Sequence, residues 1–167
     1  MLKEINPGEI TLNPFKRIDK DWCLITAGNE EKFNTMTASW AGLGILWSKK
    51  VSTCYIRPQR YTKEFVDNNE FFTLTFFPDG YREALTFCGR NSGKNVDKVK
   101  ETGLTPWFTD NSVSFKEADL VLVCRKLYAQ DMKEECFVDK SVSDRNYPEK
   151  DWHTLYIGEI VKAYVQE

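Results

Sequence analysis

The run Phe71–Phe77 (FFTLTFF), stopped at once by Pro78-Asp79-Gly80, constrains the fold most. Aromatic and β-branched side chains favour an extended, pleated backbone, and a Pro-Asp-Gly stop ends it in a turn. Similar short runs recur at Cys23–Gly28, Phe33–Trp40, Val51–Ile56, Ser112–Phe115, Ala118–Leu127 and Thr154–Val165. Tyr128–Phe137 reads as a further strand despite its acids. Gly158 reads as a bulge or a site of close approach. Helical signals are fewer and shorter. They cover Thr62–Asn68 with Thr62 as cap, Arg82–Phe87, and Val96–Glu101 ending at Gly103. Asn6–Pro14 reads as a turn-rich arm and Ser141–Asp151 as a polar loop. Strands that do not alternate with long helices disfavour a doubly wound parallel sheet. An antiparallel barrel with short helical insertions fits instead.

No repeat or low-complexity segment divides residues 1–167, which read as a single domain. With 41% hydrophobic and 14% aromatic residues the chain can bury a core, which excludes a disordered chain. Its longest apolar stretch, Ala38–Trp47, is broken by glycines and falls short of the roughly 20 residues of a membrane span. A net charge of −2 predicts no bulk attraction to nucleic acid or to an anionic membrane. Met1-Leu2-Lys3-Glu4 carries an early acid and no apolar leader, which predicts a cytoplasmic protein. Cys23, Cys54, Cys88, Cys124 and Cys136 are widely spaced without C-x-x-C. Reduced, buried thiols and no metal site are therefore expected.

Two glycine motifs fail on spacing. Gly42-Leu43-Gly44 begins like a dinucleotide fingerprint, but Trp47 stands at the third glycine position. Gly89-Arg90-Asn91-Ser92-Gly93-Lys94 resembles a phosphate loop, but its glycines are one residue too close and Asn95 replaces the magnesium-binding hydroxyl. Ser39 and His153 have no G-x-S-x-G elbow to support a hydrolase.

Other segments carry usable chemistry. Asn34–Gly44 sets hydroxyls, an amide and Trp40 beside flexible glycines, as a polar ligand with an apolar part needs; a Thr/Ser-rich strand and turn would look alike. Arg57–Lys63 places two guanidiniums and Thr62 at a helix start, which suits a phosphate as well as a solvated basic turn. Phe87–Lys98 adds glycines, a hydroxyl and cations, and Asp151-Trp152-His153 sets an imidazole before the last strand.

Together NTMTASWAGLG, RPQRYT, FCGRNSGKNVDK with ETGL, and WHTLYIGEI resemble, in order and spacing from Asn34 to Ile160, the flavin reductase-like family of FMN-binding split barrels, especially its flavoredoxin-like branch. The resemblance implies a mainly β fold, a six-stranded antiparallel Greek-key split barrel with a few short helices. It implies a homodimer with FMN near the subunit interface, NADH or NADPH as hydride donor, and a redox protein or an oxygenase as onward partner. Met36, Thr37, Ala38 and Ser39 would line the flavin ring and ribityl side, with Trp40 at the apolar part. Arg57, Arg60 and Thr62 would face the phosphate, and Ser92 and Lys98 the phosphate or ribityl chain. Asn34, Tyr61, Cys88 and Gly89 complete the implied cofactor contacts, and His153 would lie near the exposed ring face as the candidate catalytic residue. Three functions remain open: an NAD(P)H-dependent flavin reductase, a flavoredoxin-like electron carrier, and a non-redox ligand-binding barrel.

Overall fold

The computed structural model describes residues 1–109 and 111–167. The strands are β1 (Leu2–Ile5), β2 (Cys23–Gly28), β3 (Phe33–Ala38), β4 (Ala41–Leu46), β5 (Lys49–Ile56), β6 (Phe71–Phe76), β7 (Pro106–Thr109), β8 (Ser112–Phe115), β9 (Leu120–Asp131) and β10 (Thr154–Gln166). Between them lie short helices α1 (Pro14–Lys16), α2 (Tyr61–Asn68), α3 (Arg82–Arg90), α4 (Lys98–Thr102) and α5 (Lys140–Asn146). One antiparallel sheet runs in the order β3-β2-β6-β9-β10-β5-β4, with β1 beside the far end of β10, while β7 and β8 form a separate hairpin. The mainly β split-barrel class holds. β3-β2-β6-β9-β10-β5 is a continuous run of six strands, and β1, β4 and the β7–β8 hairpin raise the described total to ten.

Period-two patterning builds the interior. Cys23, Ile25 and Ala27 of β2, Phe72, Leu74 and Phe76 of β6, and Leu120, Leu122 and Cys124 of β9 turn alternate side chains into one core. Phe65 and Val66 of α2 join them from the end of the sheet. The opposite face of β6 carries Thr73 and Thr75, yet both are buried because the β7–β8 hairpin covers them. The Thr73 hydroxyl donates to the Val113 carbonyl at 2.6 Å, and Thr75 and Ser114 share a 2.8 Å hydroxyl bond. Leu24, Leu85, Cys88 and Phe115 form a second apolar cluster that holds α3 against the sheet. Cys23, Cys54, Cys88 and Cys124 are buried and Cys136 is exposed; all five are free thiols. Among the described residues, no helix is long and apolar enough to cross a membrane.

Several elements differ from the sequence reading. Thr62 is not the helix cap: Arg60 takes that position, and the buried Thr62 hydroxyl instead accepts a 2.8 Å hydrogen bond from the Asn34 amide. The Val96–Glu101 helix is displaced to Lys98–Thr102, because the Asp97 side chain accepts from Lys100 N and caps it there; Gly103 ends it as expected. The strand expected over Tyr128–Phe137 is the end of β9, which stops at Asp131 where its partner β10 begins at Thr154. The polar loop expected over Ser141–Asp151 contains α5, capped by Asp139. Gly42 and Gly44 lie within β4, which pairs with β5, and not in a turn.

Gly158 is both a bulge and a close approach. The β9–β10 register shifts beside it, and a Cβ there would stand 2.8 Å from the Phe72 ring and 2.9 Å from Cys124 Cβ. Gly158→Ala is therefore expected to destabilise the fold by about 1–3 kcal/mol through overpacking. Urea unfolding measures this, and an unchanged midpoint would show that Phe72 gives way freely.

Candidate functional site

The site is a groove at the open edge of β3, where the start of α2, the segment after α3 and the start of β10 converge. It has two joined compartments, which share Met36, Arg57 and Arg60. The inner one, about 320 Å³, is lined by Arg57, Arg60, Arg90 and Lys98 with Asn34, Gln59, Tyr61, Thr62, Asn91 and Ser92, and among the described residues it carries no acid. The outer one, about 220 Å³, is lined by Thr37, Ala38, Ser39, Trp40, Tyr55 and His153. Cations without acids suit an anion, and an aromatic-flanked cleft beside them suits a planar ring. A wider depression of about 500 Å³ adjoins the inner compartment through Asn34, Tyr61, Gly93 and Lys98, but mixes Glu31 and Asp97 among its lysines.

The inner compartment is built by backbone fit. A Cβ on Gly93 would lie 2.0 Å from Asn34 Oδ1, so glycine lets this loop close over β3. Arg60 donates from Nη1 to the Gly89 carbonyl at 2.7 Å, which ties the start of α2 to the end of α3. Lys98 reaches inward and donates to the Thr35 and Cys88 carbonyls, each at 2.7 Å. Burial pulls the Lys98 ammonium down to about 8, partly opposed by the Cys88 thiol and assisted by Arg60. Ser92 accepts at Oγ from Lys94 N at 3.2 Å.

Arg57 has a different role in the walls. It donates to Asp151 Oδ2 at 2.5 Å and to the Asn146 carbonyl at 2.8 Å, and its guanidinium lies 5.1 Å from the Tyr147 ring centre. Gln59 donates to the same Asp151 oxygen at 2.7 Å. These contacts clamp the α5–β10 segment over the groove. At the far end a 2.8 Å hydrogen bond joins the Tyr147 hydroxyl to His153 Nδ1, and the Trp40 ring centre lies 5.2 Å from that of His153. Burial, with the Arg57 charge second, pushes His153 down to about 4; Asp151 opposes this and Arg60 adds to it.

Of the residues singled out in the sequence, Asn34, Met36, Thr37, Ala38, Ser39, Trp40, Arg57, Arg60, Tyr61, Thr62, Ser92, Lys98 and His153 line the two compartments. Cys88 and Gly89 do not. They belong to the last turn of α3, where Cys88 is fully buried and its thiol is pushed up to about 11 by burial. Each contributes a carbonyl instead, to Lys98 and to Arg60. The Thr37 hydroxyl turns away and donates to the Leu85 carbonyl. Gln59, Arg90 and Asn91 line the groove within segments already singled out. Tyr55 and Tyr147 enter through strand register and the returning loop, for which no local sequence signal exists, whereas Asp151 stands in the Asp151-Trp152-His153 segment already singled out and enters as the partner of Arg57.

The family model described as "Flavin reductase like domain" matches residues 15–167. No curated protein matches the chain. Among solved structures, the FMN-binding domain of a flavin reductases-like enzyme from Shewanella baltica is similar with a TM-score of 0.70 at 13% identity, over 99% of this chain and 77% of that one. Flavoredoxin from Methanosarcina acetivorans gives 0.68 at 21% identity, over 95% and 76%. An NADH:FAD oxidoreductase from Streptomyces globisporus, in complex with NAD and FAD fragments, gives 0.65 at 14% identity, over 87% and 74%.

The lowered His153 value predicts a pH effect. The unfolded chain takes up a proton near 6.5 while the folded chain resists until about 4, so stability falls as pH drops through that window. His153 is the sole histidine, so His153→Gln should flatten the upper part of this window in urea unfolding measured against pH. A wild-type profile already flat there would mean that the imidazole protonates alike in both states.

Proposed function

This chain belongs to the flavin reductase-like domain family, and from that premise we propose that it binds FMN in the two-compartment groove and acts as an NAD(P)H-dependent flavin reductase. The acid-free inner compartment, continuous with the aromatic-flanked outer one, carries the reading. The phosphate belongs with Arg60, Ser92 and the Lys98 ammonium, and the ribityl chain with Asn34 and Thr62. Arg57 faces the same space with its guanidinium already held by Asp151. The ring belongs with Met36–Ser39, under Trp40 and His153.

Bound FMN supplies a ring that accepts hydride at N5 from the nicotinamide C4. The chain's own work is to hold two rings parallel and close, and to offer polar hydrogens where negative charge grows. β3 is an edge strand, so main-chain groups on its open side lack a strand partner. Lys98 takes the Thr35 carbonyl on that side, and Thr37 N–H, two residues on, faces the same way. It is the main-chain donor assigned to the pyrimidine edge of the ring. Exposed Trp47 and Tyr128, with ring centres 6.5 Å apart, form a small apolar face, which supports pairing with a second copy of the chain. A redox protein or an oxygenase is the onward acceptor in this reading.

Two measurements test it. The purified chain, incubated with FMN and gel-filtered, should show a flavin spectrum that bleaches with anaerobic NADH or NADPH. Bleaching by a reduced redox protein alone would favour the flavoredoxin-like electron carrier, and no flavin uptake would favour the non-redox barrel. In addition, Arg60→Ala should weaken FMN about ten- to a hundredfold, the worth of a charged hydrogen bond, while riboflavin, which has no phosphate, should change little. Equal losses for both ligands would remove Arg60 from the phosphate.

A further inference from the structure

The outer compartment is walled by an imidazole with one nitrogen engaged and one free. His153 is 7% exposed and its ring lines the compartment. Nδ1 meets the Tyr147 hydroxyl at 2.8 Å. Among the described residues nothing hydrogen-bonds Nε2, and the one fully enclosed polar side-chain atom without a partner is Asp151 Oδ1. Nε2 therefore opens onto the compartment. A nearly buried polar nitrogen left unpaired inside a cleft points to a ligand.

Which kind of ligand depends on where the imidazole proton sits. The Tyr147 hydroxyl has two acceptors within reach, His153 Nδ1 at 2.8 Å and Met132 Sδ at 3.8 Å. A thioether is a weak acceptor and an imidazole nitrogen a good one, so the hydroxyl donates to Nδ1. The phenol ring has little freedom to turn away. Phe137 lies 5.8 Å from it, the Arg57 guanidinium 5.1 Å, and the His153 ring meets it edge-on at 5.5 Å. Burial raises the Tyr147 hydroxyl above its ordinary value and keeps its proton in place. The proton of a neutral His153 is then on Nε2. Arg57, Arg60 and Asp151 are the charges near the imidazole, and none is hydrogen-bonded to it.

We propose that Tyr147 is a positioning residue that holds His153 as the Nε2–H tautomer, so that His153 serves as a neutral hydrogen-bond donor to a carbonyl oxygen of the heterocycle in the outer compartment. The ligand half of this proposal rests on the flavin reading above. The carbonyl belongs either to the flavin pyrimidine or to the nicotinamide carboxamide, which share the chemistry of a planar ring-borne acceptor. His153 neither shuttles a proton nor binds phosphate.

Because the chain has a single histidine, ¹⁵N imidazole NMR of the full-length protein reads the tautomer without overlap. Around neutral pH we expect a protonated-type Nε2 and a pyridine-type Nδ1. Tyr147→Phe should merge the two toward averaged values, while Met132→Leu should leave them unchanged. Added FMN should shift Nε2 if the flavin carbonyl is the acceptor; a shift that appears only when NAD⁺ follows would assign the carboxamide. In steady state, Tyr147→Phe should lower kcat/KM for the nicotinamide about three- to tenfold, the worth of one neutral hydrogen bond. An Nδ1–H tautomer, an imidazolium at neutral pH, or a Tyr147→Phe spectrum identical to wild type would overturn the positioning role. Flavin and nicotinamide that bind without moving Nε2 would overturn the donor role. A chain that binds neither, yet keeps Nε2–H, would overturn the flavin reading and leave the Tyr147–His153 pairing standing.

Discussion

Strand β10 has to serve two neighbours along one side, and the fold depends on the bend that allows it. β9 follows β10 from Thr154 to Val165, while the other side is taken by β5 up to Glu159 and by β1 from Ala163 onward. The bend begins at Gly158, where the Phe72 ring occupies the space of a side chain. With β10 bent, its first half lies along β5 in a register that pairs Thr154 with Ile56. His153 and Arg57, each one residue beyond that pair, then stand side by side although they are far apart in sequence. The β5–β10 register, unbroken from Thr154 to Glu159, thus brings an imidazole and a guanidinium into one groove.

The charges of the groove divide the same way. Arg57 spends its donors on Asp151 and on the Asn146 carbonyl, so it acts chiefly as a clamp on the segment that carries Tyr147 and His153. The pair is partly buried, unlike Lys94–Glu64 at the surface, whose solvent screening leaves it little to contribute. Lys98 is a strut between β3 and α3, but its two partners are neutral carbonyls, and among the described residues no carboxylate pairs with it. A buried ammonium in that state is costly, as its lowered value shows. An anion in the inner compartment would offset that cost, so the burial that makes the Lys98 charge costly also favours an anion beside it.

Much of this was legible in the sequence where local physics decides. The β-branched and aromatic runs at 23–28, 51–56, 71–77, 112–115 and 154–165 became strands because their alternate residues have a core to face. β4 is hidden in the sequence because its glycines resemble a turn and it is a strand only through pairing with β5. α5 resembles a loop in sequence because Ser143 is its one buried residue, which leaves no apolar stripe to detect. In the candidate site, Asn34–Trp40, Arg57–Thr62, Ser92 and Lys98 stood out by residue type. Cys88 and Gly89 stood out equally, and the helical turn that contains them directs their carbonyls to the groove's supports and leaves their side chains outside it. Tyr147 carries no signal at all, since its meaning depends on a loop folding back onto His153.

Arg57 and Arg60 border both compartments, and both oppose a positive charge on His153. An anion held between them would weaken that opposition. Burial is nevertheless the larger influence on the imidazole, ahead of the Arg57 charge. In the proposed reading, charge recognition and ring recognition are therefore separable although they share two arginines. The inner end would distinguish ligands by charge, and the outer end by where a planar ring carries its acceptor. A ligand with a phosphate tail and a carbonyl-bearing ring satisfies both ends at once, whereas an inorganic anion or a bare heterocycle satisfies one.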